Sequence, residues 1–272
     1  MQVIVINSQK GGSAKTMLCK HLSVEAERAG DGPVFLIDTD PQGSLTAWHT
    51  KRESETPARV ELPFDGLEKG LELLRKHGAA YCLIDTASGR VEVAKELFKL
   101  ADFVIFPVQA SEDDLTAAPV TVQALKETGV PFLFVLTRVK ANTLITAQAA
   151  ALLSKHGEVA ETFINDRTAY KSPFAKGQTI TEAEPKGQAA QEIAALWENI
   201  KSGLHENMKT TRKVKAYGKS TRIECRHFDR CAIHAQGRAD HDASAFTEAG
   251  KRSEAGRKDG CSEGTPASTL AG

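Results

Sequence analysis

Residues Gln9-Lys10-Gly11-Gly12-Ser13-Ala14-Lys15-Thr16 combine the residue types and spacing that grip a polyphosphate. Adjacent glycines let backbone N–H groups approach phosphate oxygens without interference from a Cβ. Lys15 is placed to reach β- and γ-phosphates, and the Thr16 hydroxyl to ligate Mg²⁺. A helix opening here would add the positive end of its dipole. The candidate nucleotide-contacting stretch is therefore Gly11, Gly12, Ser13, Ala14, Lys15, Thr16 and Met17. Ordinary phosphate loops read G-x-x-x-x-G-K-[ST], and Gln9 and Ala14 stand here where that pattern has glycine. If position 14 requires a positive φ, its methyl group costs roughly 1–2 kcal/mol.

Carboxylates supply the other half of the chemistry. Asp38 and Asp40 follow the apolar run Val34-Phe35-Leu36-Ile37 and, two residues apart, point toward one edge. Asp85 closes Tyr81-Cys82-Leu83-Ile84 in the Walker B manner, where an acid holds the Mg²⁺ shell. Phosphoryl transfer needs positioning and charge neutralisation more than covalent chemistry, so one carboxylate near the γ-phosphate suffices to place an attacking water.

The surrounding pattern supplies elements that hold these residues in place. Val3-Ile4-Val5-Ile6 is a continuous β-branched run, as in a strand buried on both faces. Further strands are expected over 34–37, 81–84, 103–106 (broken by Pro107), 132–136 and a short 159–164. Helices are expected over 15–29, 67–77, 91–100, 115–128, 143–156 and 188–204, the last with Ile193, Leu196, Trp197, Ile200 and Leu204 on one stripe. Strands alternating with crossover helices predict an α/β fold, a doubly wound, mostly parallel sheet with its ligand at the carboxyl ends of the strands.

Composition narrows the class. The 272 residues carry 35 Lys+Arg against 35 Asp+Glu and are 41% hydrophobic, which fits an ordinary globular chain. No apolar run approaches the roughly 20 residues of a membrane span. The opening MQVIVIN lacks the basic region and cleavage site of a signal peptide, and the 5 cysteines form no disulfide framework. A cytoplasmic protein is expected. Residues 1–204 carry 22 basic and 26 acidic residues, and residues 205–272 carry 13 and 9. Apolar periodicity stops at Leu204, so 1–204 reads as the folded domain and 205–272 as a basic, disordered tail. Within that tail, the spacing of Cys225, His227, Cys231 and His234 fits no usual zinc finger.

The phosphate loop, Asp38-Thr39-Asp40-Pro41-Gln42-Gly43-Ser44 and the Asp85 strand together resemble the deviant Walker A ATPases of the ParA/MinD family, over about residues 1–200. The resemblance implies a P-loop NTPase fold that uses ATP and Mg²⁺. It implies that Lys10 reaches across a nucleotide-sandwich homodimer to the partner's ATP. By the same resemblance Asp38 supports Mg²⁺ through water and Asp40 positions or activates the attacking water, making Lys10, Lys15 and Asp40 the catalytic set and Thr16, Asp38 and Asp85 the metal set. Phe106-Pro107-Val108-Gln109 resembles the family's strand–proline segment beside the nucleotide. Leu136-Thr137-Arg138 resembles the strand end near the adenine, which adds Pro107, Thr137 and Arg138 to the nucleotide site. Ala14 departs even from the deviant motif. The loop opens at residue 9 and leaves no room before it for a helix-turn-helix domain, so the resemblance is to small, ParF-like members, in which a separate small protein binds the operator.

The function so implied is a switch. An ATP-bound dimer holds nonspecific DNA, and a small centromere-binding or cargo-adaptor protein stimulates hydrolysis. A plasmid or large protein assembly is thereby partitioned or positioned on the nucleoid. DNA contacts are expected at Arg167, Lys171 and Lys176, with the basic stretch 209–238 as a further candidate. Membrane association is not expected, because the final helix carries Glu192, Glu198 and Asn199 on its polar face. The alternative is a nucleotide-binding adaptor with little or no hydrolysis, motivated by Ala14.

Overall fold

Val3 and Val5 point to one face of the first strand and Ile4 and Ile6 to the other, and none has exposed surface. Such a strand must be covered on both sides, and the computed structural model, which describes residues 1–140, 143–171 and 176–224 with side chains to 206, shows how. β1 (Gln2–Ile6) lies between β4 (Tyr81–Asp85) and β5 (Phe103–Gln109). Beyond β4 come β2 (Val34–Asp38) and β3 (Ala58–Arg59); beyond β5 come β6 (Phe132–Val139) and, along its outer edge, β7 (Glu158–Val159) and β8 (Ile164–Asn165). Every pairing is parallel.

Helices cover both faces, so the fold is the doubly wound parallel α/β sheet expected. α1 (Lys15–Arg28), α2 (Ser44–His49), α7 (Ile180–Ala183) and α8 (Gln188–Glu224) pack one face through Leu18, Leu22, Trp48, Ile180, Ile193 and Trp197. α3 (Leu67–Lys76), α4 (Val91–Leu100), α5 (Glu112–Thr128) and α6 (Leu144–Leu153) pack the other through Leu71, Phe98, Leu125 and Leu153. Each apolar side chain of this size contributes about 1.5–3 kcal/mol when fully buried, which anchors α8 by its first turns. Two units divide the chain, Met1–Ile223 and Glu224–Gly272; the elements named here, save the last residue of α8, build the first. No described helix is long and apolar enough to cross a membrane.

Several elements differ from expectation. β5 runs through Pro107 to Gln109 rather than ending at Phe106. Asn7 N–H bonds the Ile105 carbonyl and Val104 N–H the Pro131 carbonyl, so odd-numbered β5 residues face β1. At Pro107 β1 has already ended, and the missing N–H forfeits no ladder bond. The short strand over 159–164 is two pieces, β7 and β8. α2 and β3 had no periodic signature, being 6 and 2 residues long. The apolar stripe ends at Leu204, but the proline-free stretch after it stays helical to Glu224. The Cys225, His227, Cys231 and His234 set lies outside the described residues.

His21 on α1 has no exposed surface; Ile180 N–H donates to its Nδ1 at 3.4 Å, and the Tyr170 ring meets it edge-on at 5.4 Å. Burial pushes its pKa from 6.5 down to about 3. The unfolded chain takes up a proton here below about pH 6.5 while the folded chain does not, so this stability is complete above that pH and drains away toward pH 3. Urea unfolding between about pH 7 and 4 should therefore show a steeper loss for the wild type than for His21→Gln. Identical slopes would refute the assignment.

Candidate nucleotide-binding site

The segment between β1 and α1 has no regular structure, and its shape is set by what holds it. At its start Asn7 donates its side-chain amide to Thr86 Oγ1 at 2.9 Å, and the Thr86 hydroxyl donates to the Ile6 carbonyl at 2.9 Å. In its middle the Ser8 and Ser13 hydroxyls converge on the Lys10 carbonyl, at 3.0 and 3.2 Å, and on each other. The Lys15 ammonium donates to the same carbonyl at 3.4 Å, to Ser8 Oγ at 3.5 Å and to Ser88 Oγ. From the other flank the Thr137 hydroxyl donates to the Ser13 carbonyl at 3.1 Å, and the Gln109 amide to the Gly12 carbonyl at 3.0 Å. Burial pulls the Lys15 pKa down, while Asp85 and Asp40 oppose it.

The turn into α1 requires left-handed backbone. Gly12 has φ 81°, and Ala14 has φ 75° and ψ 20° with its carbonyl accepting from Leu18 N–H at 2.9 Å. The position read as needing glycine is therefore a positive-φ position, and its alanine carries a strain of roughly 1–2 kcal/mol.

Above the loop lies a cleft of about 610 Å³. Gly11, Gly12, Ala14, Lys15, Thr16 and Met17 form its floor, Asp40 and Gln42 one wall with Ser88 and Arg90, and Arg138 the opposite side. Three residues expected at the nucleotide do not line it. Ser13 and Thr137 are buried and hold the loop, and Pro107 packs behind the loop beside Ser8 and Lys10. Asp38 also stands back: its Oδ1 accepts Asp40 N–H at 3.1 Å, and its Oδ2 accepts the Thr46 N–H and hydroxyl at 2.8 and 2.9 Å. It fixes Asp40 and caps α2.

Asp85 has no exposed surface. Its Oδ1 accepts Thr86 N–H at 3.1 Å, and its Oδ2 is buried without a hydrogen-bonding partner among the described residues. Burial pushes this carboxyl up to about 7; the Thr16 hydroxyl and Lys15 pull the other way, Asp38 and Asp40 push with it. An unsatisfied hard oxygen beside a hydroxyl, among carboxylates, suits a small divalent cation, which Mg²⁺ sites complete with substrate phosphates.

Residues 4–180 match the model of the CobQ/CobB/MinD/ParA nucleotide binding domain. The chain belongs to this family. Protein ParA of Rhizobium radiobacter is 25% identical over 199 residues, covering 68% of this chain and 88% of the relative. The maintenance of carboxysome distribution protein A of Gloeobacter kilaueensis is 29% identical over 209 residues, covering 75% and 94%. The MinD of Pyrococcus horikoshii, solved complexed with Mg-ADP, shares the fold at 18% identity with a TM-score of 0.60, covering 73% of this chain and 95% of that one.

Two further features of this family member follow from its geometry. Lys10 does not line the cleft; its ammonium pairs with Asp113 at 3.1 Å and Asp114 at 3.9 Å, at the start of α5. Arg138 has φ 52° at the register shift between β6 and β8, a bulge that turns its guanidinium over Gly12. Of the expected DNA contacts, Lys171 and Lys176 are exposed, and Arg167 is partly buried, with its Nε and Nη2 donating to Glu192 at 2.9 and 2.8 Å. Glu192 neutralises that charge within the fold. Sequence reasoning missed Ser8, Arg90 and the Asp113–Asp114 pair; none belongs to a phosphate-loop or carboxylate motif.

Replacing Ala14 with glycine removes the strain and adds about 0.5–1 kcal/mol of backbone entropy cost. Ala14→Gly should come out more stable by up to about 1.5 kcal/mol in urea unfolding. A less stable variant would mean that position 14 does not hold a positive φ.

Proposed function

We propose that the protein binds ATP with Mg²⁺ in this cleft, dimerises around the nucleotide, holds nonspecific DNA in that state and hydrolyses ATP to let go. A cargo, a plasmid or a large protein assembly, is thereby partitioned or positioned on the nucleoid. The observation that carries the reading is the buried Oδ2 of Asp85, which has no hydrogen-bonding partner among the described residues and lies beneath Thr16 and Lys15, two residues that line the cleft. The relatives named for ParA and for carboxysome distribution support a partition or positioning role, and the Mg-ADP complex of MinD supports the ligand.

Thr16 and Asp85 would hold the cation, with Asp38 reaching it through water. Mg²⁺, when bound, neutralises charge on the β- and γ-phosphates. Lys15 exchanges its loop acceptors for phosphate oxygens. Asp40, fixed by Asp38, orients the attacking water and takes its proton. Lys10 leaves Asp113 and Asp114 to reach the partner's nucleotide; its shorter pair, to the exposed Asp113, is worth about 0–1 kcal/mol, a small barrier to release. Lys171, Lys176 and the basic stretch 209–238 are the candidate DNA contacts, helped by a small partner protein that stimulates hydrolysis. The second reading, a nucleotide-binding adaptor with little hydrolysis, draws on the strained Ala14.

Co-sedimentation with nonspecific duplex DNA should show retention with ATP and Mg²⁺, and none with ADP or after chelation. Lys15→Ala should abolish nucleotide binding. Lys10→Ala should bind ATP but fail to dimerise, and Asp40→Ala should accumulate as an ATP-bound, DNA-retained dimer. Retention indifferent to nucleotide would sink the switch. Phosphate release that is negligible in the wild type and rises in Ala14→Gly would favour the adaptor; equal stimulated rates in the two would count against Ala14 as a handicap.

A further inference from the structure

The wall of the cleft that follows β4 contributes a guanidinium that the phosphate-loop and carboxylate motifs leave unassigned. Arg90 lines the cleft, stands exposed at the N-terminus of α4, and its side chain makes no hydrogen bond or ion pair with a described residue. Two contacts fix which end of the cleft it faces. Ser88, two residues earlier, bonds the Lys15 ammonium, so this segment abuts the group that grips the terminal phosphates. Gly89, at φ 78°, lies against the start of the phosphate loop, where a Cβ would stand 3.8 Å from the Gln9 carbonyl.

Strand order gives the same orientation. β4 lies between β2 and β1, so Asp40, Asp85 and Arg90 share one flank of the loop, while Arg138 at the end of β6 holds the other. A triphosphate sharing a cation held by Thr16 and Asp85 would present its terminal phosphate to the β2–β4 flank, away from Arg138. That flank carries the carboxylates of Asp38, Asp40 and Asp85, which repel an incoming phosphate, and Lys15 is already drawn toward two of them. Arg90 brings a second cation to this side, and its planar fork suits two phosphate oxygens at once.

We infer that Arg90 reads the γ-phosphate within its own subunit and is the residue by which the site tells ATP from ADP. The inference rests on the ATP reading above. Isothermal titration of the full chain with Mg²⁺ and either AMPPNP or ADP separates the two claims. Arg90→Ala should weaken AMPPNP about tenfold, the loss of one charge-assisted contact, and leave ADP within about twofold. Arg90→Lys should recover part of the AMPPNP affinity. An equal loss for both nucleotides, or no loss for either, would overturn the assignment while leaving ATP binding intact. A wild-type chain that binds neither nucleotide would overturn the ATP reading itself.

Discussion

A lysine side chain folded back into its own loop sets the shape of this site. Lys15 is 6% exposed, and an ammonium removed from water needs acceptors for three N–H groups. It finds them in Ser8, the Lys10 carbonyl and Ser88. To bring a carbonyl from five residues upstream back onto Lys15, the chain must curl tightly, and the curl appears as the positive φ of Gly12 and Ala14. The strain at Ala14 is thus a consequence of satisfying Lys15. Those acceptors hold the ammonium at the floor of the cleft, where phosphate oxygens would replace them.

The sheet makes that curl rigid because its strands end at different heights. β1 stops at Ile6, but β5 continues to Gln109 and β6 to Val139, and all run in one direction. The flanking strands therefore project past the central one and grip the loop from the side, Gln109 on the Gly12 carbonyl and Thr137 on that of Ser13. On the opposite flank Thr86 ties the loop's first residues to β4. Parallel pairing is what lets three strands present residues to one loop.

What could be read from the sequence was what is local. The phosphate loop, the runs ending in Asp38 and Asp85 and the alternation of elements all lie within short windows, and the sheet follows from them. What could not be read depends on partners far away in the chain. Thr137 is expected at the nucleotide because it ends a strand near it; that it also supports the loop, through a bond to Ser13 124 residues away in sequence, is something no local window reports. Arg167 looked like a free cation because Glu192 lies on another element. Pro107 looked like a strand breaker because its missing N–H was counted without knowing that β1 had ended beside it. α2 is held by an acid that caps it from β2, which no helical period reports.

The two readings of Ala14 can be separated by asking when its strain is incurred. The left-handed conformation belongs to a curl that hydrogen bonds to the Lys10, Gly12 and Ser13 carbonyls hold within the fold itself, so its roughly 1–2 kcal/mol falls on folding stability. A nucleotide that finds the loop already curled meets no further backbone cost at this residue. Only the methyl group itself, which lines the cleft, could then affect the phosphates, and it would do so by contact. Steric contact of that kind would weaken every nucleotide whose phosphates reach the floor, ADP as well as ATP. An adaptor that binds ATP well but hydrolyses it poorly needs a different cause, one acting on the water near Asp40 and not on the phosphate near Ala14. The strained alanine is therefore a weaker argument against turnover than its departure from the motif suggests.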